Sequence, residues 1–146
     1  MIEIQEKLIS SQKLRELIAD ETCGAVVIFE GLVRNHHQGK KVTELRYEAF
    51  KPMALKVLAD IREEALRRWE LHDLWIVHRT GLISIEEAAV WVGVASSHRK
   101  EAFEACQWAM DEIKLRAPIW KHETYEDGSS VWVEDQCVTA HSQHSH

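Results

Sequence analysis

Residues 110–121, MDEIKLRAPIWK, constrain this chain more than any other stretch, because a long helical pattern has to stop there. Met110, Ile113 and Ala117 keep helical spacing. Pro118 lacks an N–H and restricts Ala117, so the helix ends at about that point and Trp120 and Lys121 begin something extended. Lys114 leaves the helix beside its apolar face, and Lys121 follows the break. Two ammonium groups converging on one chain reversal can form an anion pocket, and burial or a neighbouring cation can lower a lysine pKa enough for catalysis. Helix C-termini also favour cations through the macrodipole, so the same pair admits a purely structural explanation.

The rest of the pattern alternates strands and helices. Residues 1–9 alternate loosely as a short strand, and 11–20 form a helix with Leu14, Leu17 and Ile18 on one face. GAVVIFEGLV, 24–33, is a buried strand that runs into Arg34 and a polar, glycine-containing loop, NHHQGKK, expected to be mobile. Residues 42–50 alternate imperfectly as a strand. A long amphipathic helix follows over 51–69, with Pro52 in its first turn. Strands at 74–77 and 88–95 flank a turn near Gly81. Ser96 or Ser97 can cap a second long helix, whose apolar set is Ala102, Phe103, Cys106, Ala109, Met110 and Ile113. Beyond Pro118, 120–126 and 130–134 form a hairpin around Asp127-Gly128. This order gives a mixed α/β, or α+β, single domain over 1–134, and residues 135–146 form a polar tail expected to be disordered.

Composition removes several function classes. At 146 residues and 45% hydrophobic, the chain suffices for one ordinary core. No apolar run approaches the roughly 20 residues that span a bilayer, and the polar N-terminus is unlike a signal peptide, so the expectation is a cytoplasmic protein without membrane contact. A net charge of −6 argues against general nucleic-acid binding. Cys23, Cys106 and Cys137 are odd in number and far apart, which fits neither a disulfide framework nor a zinc site. Metal and cofactor are both expected to be absent.

Several groups carry possible chemistry. His98-Arg99 opens a helix after a strand, where free N–H groups and the dipole attract phosphate, although a solvated first turn looks the same. Arg34 ends a buried strand before a loop, a common place for binding arginines. His78-Arg79 favours a structural role. His36, His37 and the tail histidines His141, His144 and His146 lack the supporting contacts of a metal site. HExxH, GxSxG and GxGxxG motifs are absent, and 31–40 fails as a phosphate loop because its glycine spacing is wrong and Lys41 stands in place of Ser/Thr. What remains is a set of cations with no hydrolytic nucleophile, the arrangement expected when the substrate is anionic and the reactive atom arrives on a partner.

The segments FEGLVRNHHQGKKV, LRYEAF, IVHRTG, VGVASSHRKEAF and DEIKLRAPIWKHE, with a later G…WVE, resemble the large catalytic subunit of molybdopterin synthase, in order from about Gly24 to Glu134. The resemblance implies an α/β hammerhead fold with an added antiparallel β-sheet. It implies an enzyme that inserts two sulfurs into cyclic pyranopterin monophosphate to form the molybdopterin dithiolene. The sulfur would arrive as a thiocarboxylate on the C-terminal Gly-Gly of a small ubiquitin-like subunit, and a homodimer of large subunits would form the centre of a heterotetramer. Carried over by position, Lys114 and Lys121 match the essential lysines. Arg34, His98 and Arg99 match the substrate-binding cations, and Leu32, Val33, His122 and Glu123 match pocket-lining neighbours. Gln136 departs from the pattern, standing where a family arginine supplies a further cation.

In the chemistry so implied, Lys114 would act on the carrier's terminal carbonyl, Lys121 would polarise it or move protons, and Arg34, His98 and Arg99 would hold phosphate. His98 and Lys114 lie 16 residues apart near opposite ends of one expected helix, about 24 Å at 1.5 Å per residue. The expectation is therefore a site built across a dimer, with His98 and Arg99 from one protomer and both lysines from the other. Two rivals remain: a non-catalytic docking module for a ubiquitin-like tail, and a stand-alone anion-binding or pterin-binding enzyme. A groove leading to Lys114, wide enough for an extended Gly-Gly tail, separates them.

Overall fold

A computed structural model describes residues 1–133, so Glu134, Gln136, Cys137 and the tail histidines lie outside the described residues. The chain is a mixed α+β domain, with two sheets and three helices among the described residues. The first sheet joins β1 (Ile2–Gln5), β5 (Asp73–Arg79), β7 (Ala88–Ser96) and β2 (Ala25–Leu32) in that spatial order, with only β1 and β5 parallel. Period-two alternation sorts β7 between two cores. Val90, Val92 and Val94 face α2 (Lys51–Arg68) and α3 (Arg99–Arg116), whereas Trp91 and Ala95 face Ile18 of α1 (Ser11–Ile18). Trp91 is fully buried and donates from Nε1 to Ser11 Oγ at 2.9 Å. Gly93 leaves the room that its ring occupies, since a Cβ there would lie 2.2 Å from Trp91 Cη2.

The second sheet is built on β4 (Lys40–Ala49). β8 (Ile119–Tyr125) pairs along one edge and β6 (Gly81–Ile83) along the other, while β9 (Ser130–Val133) extends the sheet beyond β8. Val33, Leu45, Ile83 and Ala89 close the junction between the sheets. β4 carries a bulge between Val42 and Glu44, which resets the phase so that Val42, Leu45 and Tyr47 share one face.

Three local expectations need correction. NHHQGKK is not an irregular loop: β3 (His36–His37) pairs back onto Lys40–Lys41 through Gln38 and Gly39, whose φ angles of 51° and 81° suit a two-residue hairpin turn. The cap of α3 is His98, without a side-chain hydrogen bond, rather than Ser96 or Ser97. Ser96 is buried, and its hydroxyl donates to the His98 carbonyl at 2.5 Å. Phe103 is not part of the core but 60% exposed. β6 was not anticipated, because three residues are too few to leave a periodic signal.

Candidate active site

The break at Pro118 is short. Ala117 N–H bonds the Ile113 carbonyl, Ile119 N–H bonds the Ala117 carbonyl, and Phe50 N–H takes the Pro118 carbonyl, so β8 starts at once beside the end of β4. This sets Lys114, in the last turn of α3, close to the start of the second sheet. Lys114 lines a cavity of about 90 Å³ with Tyr47, His78, Val90, Met110 and Ile113. Lys121 lies opposite Tyr47 in the β4–β8 register. Directly opposed residues share a face of the sheet, so Tyr47 adjoins both lysine positions.

Under Lys121 sits a buried carboxylate. Glu123 is 3% exposed and accepts the Tyr125 hydroxyl at 2.8 Å. His37 Nδ1 lies 3.3 Å and Lys121 Nζ 3.8 Å from its other oxygen. That hydrogen bond raises the Tyr125 pKa above the ordinary phenol value, with burial adding to it. His78 is enclosed, and burial drives its pKa down to about 4, against a smaller upward push from its bond to the Arg79 carbonyl. Its Nδ1 lies 2.8 Å from that carbonyl, which requires the Nδ1–H tautomer. Arg79 is structural, as expected: buried, paired with Glu87 at 3.0 Å and donating twice to the Glu6 carbonyl.

A larger groove of about 420 Å³ also reaches Lys114. Val27, Ile28 and Phe29 of β2 form one wall, and Phe103, Cys106, Gln107 and Met110 of α3 form the other. Among the described residues β2 is the outer strand of its sheet, and residues of its open edge border this groove. Burial raises the Cys106 pKa to about 11, which makes it an inert wall and not a sulfur nucleophile.

The expected residues separate into two groups. Antiparallel pairing puts the end of β2, and hence Arg34, beside the start of β7, the end at which Val90 and Lys114 share a cavity. Arg34 is exposed there. His98 and Arg99, also exposed, sit at the far end of α3, about 24 Å from Lys114 at 1.5 Å per residue. Leu32 is 56% exposed at the first end. Val33 instead belongs to the core between the sheets and exchanges backbone hydrogen bonds with Glu86 and Glu87. His122 occupies the opposite face of β8 from Lys121 and Glu123, its ring 4.8 Å from that of Trp132.

Tyr47, Tyr125 and the Phe29–Phe103 groove do not stand out in the sequence, and His37, read there only as a weak metal candidate, instead meets Glu123. The alternation that marks Tyr47 is broken by the β4 bulge, and the other groups meet only through long-range pairing. Asp20, Cys23 and His72 also bring donor atoms within 4.8 Å of one another, joined by the Asp20 contacts to His72 at 3.9 Å and Cys23 at 3.8 Å.

The sequence model of the MoaE protein family matches residues 4–116. The molybdopterin synthase catalytic subunit of Thermoplasma volcanium is 43% identical over 131 residues, covering 90% of this chain and 96% of that protein. The corresponding subunit of Bacillus subtilis is 41% identical, covering 94% and 87%. The crystal structure of molybdopterin synthase from Staphylococcus aureus superposes with a TM-score of 0.84 at 42% identity, covering 89% of this chain and 94% of that one. On sequence and fold together, the chain belongs to the MoaE family.

Proposed function

We propose that this chain is the catalytic subunit of a molybdopterin synthase, a sulfurtransferase of molybdenum cofactor biosynthesis that works in the cytoplasm. Its partner is a small ubiquitin-like subunit bearing a C-terminal Gly-Gly thiocarboxylate, and its substrate is cyclic pyranopterin monophosphate. Beside the family relationship, the observation that carries this reading is the groove between the open edge of β2 and α3, which ends at Lys114. An extended tail can pair its backbone with such an edge, and a pair of glycines spans about 7 Å without side chains to clash. The tail's terminal carbonyl would thus be delivered to the lysines.

Lys114 acts on that carbonyl, as covalent partner or as proton donor and acceptor, and Lys121 stabilises the charge that develops on its oxygen. Arg34 supports phosphate at the same end. His98 and Arg99 act on the substrate held by a second protomer, because the length of α3 separates them from their own lysines. Two large subunits therefore form the centre of a heterotetramer. Leu32 and Glu123 border the pocket, Val33 and His122 support it from behind, and Glu123 anchors Lys121.

Single-turnover conversion of cyclic pyranopterin monophosphate tests the proposal, using thiocarboxylated small subunit with wild type, Lys114→Ala or Lys121→Ala. Dithiolene formation by wild type, and its loss in variants that still bind the small subunit, is the expected result. Variants that keep pace with wild type would reduce the chain to a docking module with helix-end charges.

A further inference from the structure

Tyr47 adjoins both lysine positions, yet it belongs to neither of their elements. Three observations meet on it. It lies opposite Lys121 in the β4–β8 register, which puts their Cβ atoms within about 5.5 Å on one face. It shares the cavity of about 90 Å³ with Lys114, so its phenol borders the lysine that comes from the other sheet's helix. Its ring meets that of His78 edge to face, with centroids 5.0 Å apart and planes inclined by 71°. His78 is held in turn by its Nδ1–H bond to the Arg79 carbonyl, and Arg79 is fixed by Glu87 and by the Glu6 carbonyl. The phenol ring is thus backed by the buried His78, which a hydrogen bond ties to the Arg79 carbonyl, and Arg79 is itself buried and held by Glu87 and Glu6.

We propose that Tyr47, braced by His78, is a positioning residue that sets the placement of the Lys114 and Lys121 amines relative to each other. The two lysines sit on flexible four-carbon stems from different elements, and sub-ångström placement of reacting groups is worth orders of magnitude in rate. A rigid aromatic ring with one hydroxyl is suited to holding them. His78 suits the brace because its burial keeps the imidazole neutral, so the ring meets Tyr47 without bringing a charge into the cavity. The ring contact itself is the kind that favours one relative orientation of two aromatic groups.

The inference rests on the synthase reading, so its test has a readout that does not need turnover. Tyr47→Phe keeps the ring, the contact with His78 and the packing, and removes only the hydroxyl. In protein whose lysines carry ¹³C-methyl groups, the Lys114 and Lys121 signals, assigned from the Lys114→Arg and Lys121→Arg variants, should move in Tyr47→Phe while the exposed Lys56 signal stays. In single-turnover sulfur transfer the same variant should lose about 10- to 100-fold in rate with the half-saturating concentrations of both substrates within about threefold of wild type. His78→Phe, which retains an aromatic edge, should keep most of the rate, and His78→Ala should behave like Tyr47→Phe. Unmoved lysine signals would overturn the proposal, whatever the activity. So would moved signals with an unchanged rate, or weakened substrate binding at full rate. An inactive wild type would instead refute the synthase reading and leave the methyl signals to decide the role of Tyr47.

Discussion

Glu123 offers the sharpest energetic test of how the site is supported. Its carboxylate is buried at 3% exposure, accepts the Tyr125 hydroxyl at 2.8 Å and lies near His37 and Lys121 at 3.3 and 3.8 Å. Removing one partner of a fully buried ion pair costs about 3–5 kcal/mol. Lys121 is 27% exposed, and loss of the carboxylate also relieves its own desolvation, so about 2–4 kcal/mol is the expectation for Glu123→Ala. Glu123→Gln still accepts from Tyr125 but exchanges a charge-assisted bond for a neutral one, a loss of about 1 kcal/mol. Urea unfolding of Glu123→Ala, Tyr125→Phe and the double variant gives the coupling directly, expected at about 1–2 kcal/mol. For a chain of this length, Glu123→Ala should also lower Tm by about 5–12 °C. Coupling indistinguishable from zero, or a glutamine variant as unstable as the alanine one, would refute the claim that this carboxylate is held through Tyr125.

Other consequences follow from the same geometry. His78 titrates near 4 in the fold against 6.5 in the unfolded chain, so its contribution is complete above about pH 6.5 and disappears as pH falls through about 4. The difference is about 3 kcal/mol, and pH-dependent urea unfolding should be correspondingly flatter for His78→Phe. Gly93→Ala would force a methyl group into the Trp91 ring and should destabilise by more than about 2 kcal/mol, measured by the same unfolding, and a milder loss would mean that the ring can shift. If His98 serves the other protomer's lysines, mixing inactive Lys114→Ala and His98→Ala subunits restores one intact site in each mixed dimer, about a quarter of wild-type activity for random pairing. Mixtures as inactive as their components would place both residues in one protomer's site.

Much of this architecture could be read in the chain because its signals are local. The helix stop at Pro118, the strand over 88–95 and the Asp127-Gly128 turn each depend on a few neighbouring residues, and each appears where expected. Two segments read differently in the fold. NHHQGKK looks like a loop because its two-residue strand, paired back on Lys40–Lys41, is too short to leave a periodic signal. Phe103 has core spacing on its helix, but the sheet ends at β2, so nothing among the described residues covers that side of the groove. The lysines stand out in the sequence because a cation at a helix stop is a local pattern. Tyr47 does not, because its neighbours, Lys121 in the register and the His78 ring, come from distant parts of the chain.

The connection between α3 and β8 sets how a helix lysine and a strand lysine lie relative to β4. Seven residues of uninterrupted helix would separate Lys114 and Lys121 by about 10 Å along one axis, both carried away from β4. With Ala117 and Pro118 as the only linking residues, the chain turns into β8 within hydrogen-bonding reach of the Phe50 amide, and the pairing of Ala49 with Ile119 fixes the phase of everything after it. That phase turns Lys121, Glu123 and Tyr125 toward Tyr47 and Leu45, and turns His122 and Thr124 away. With the start of the pairing held, one residue inserted in the link would exchange the two faces, setting Trp120 where Lys121 stands and His122 where Glu123 stands. The proline therefore does more than end a helix: by permitting so short a link, it determines which residues of β8 the lysine of α3 can meet.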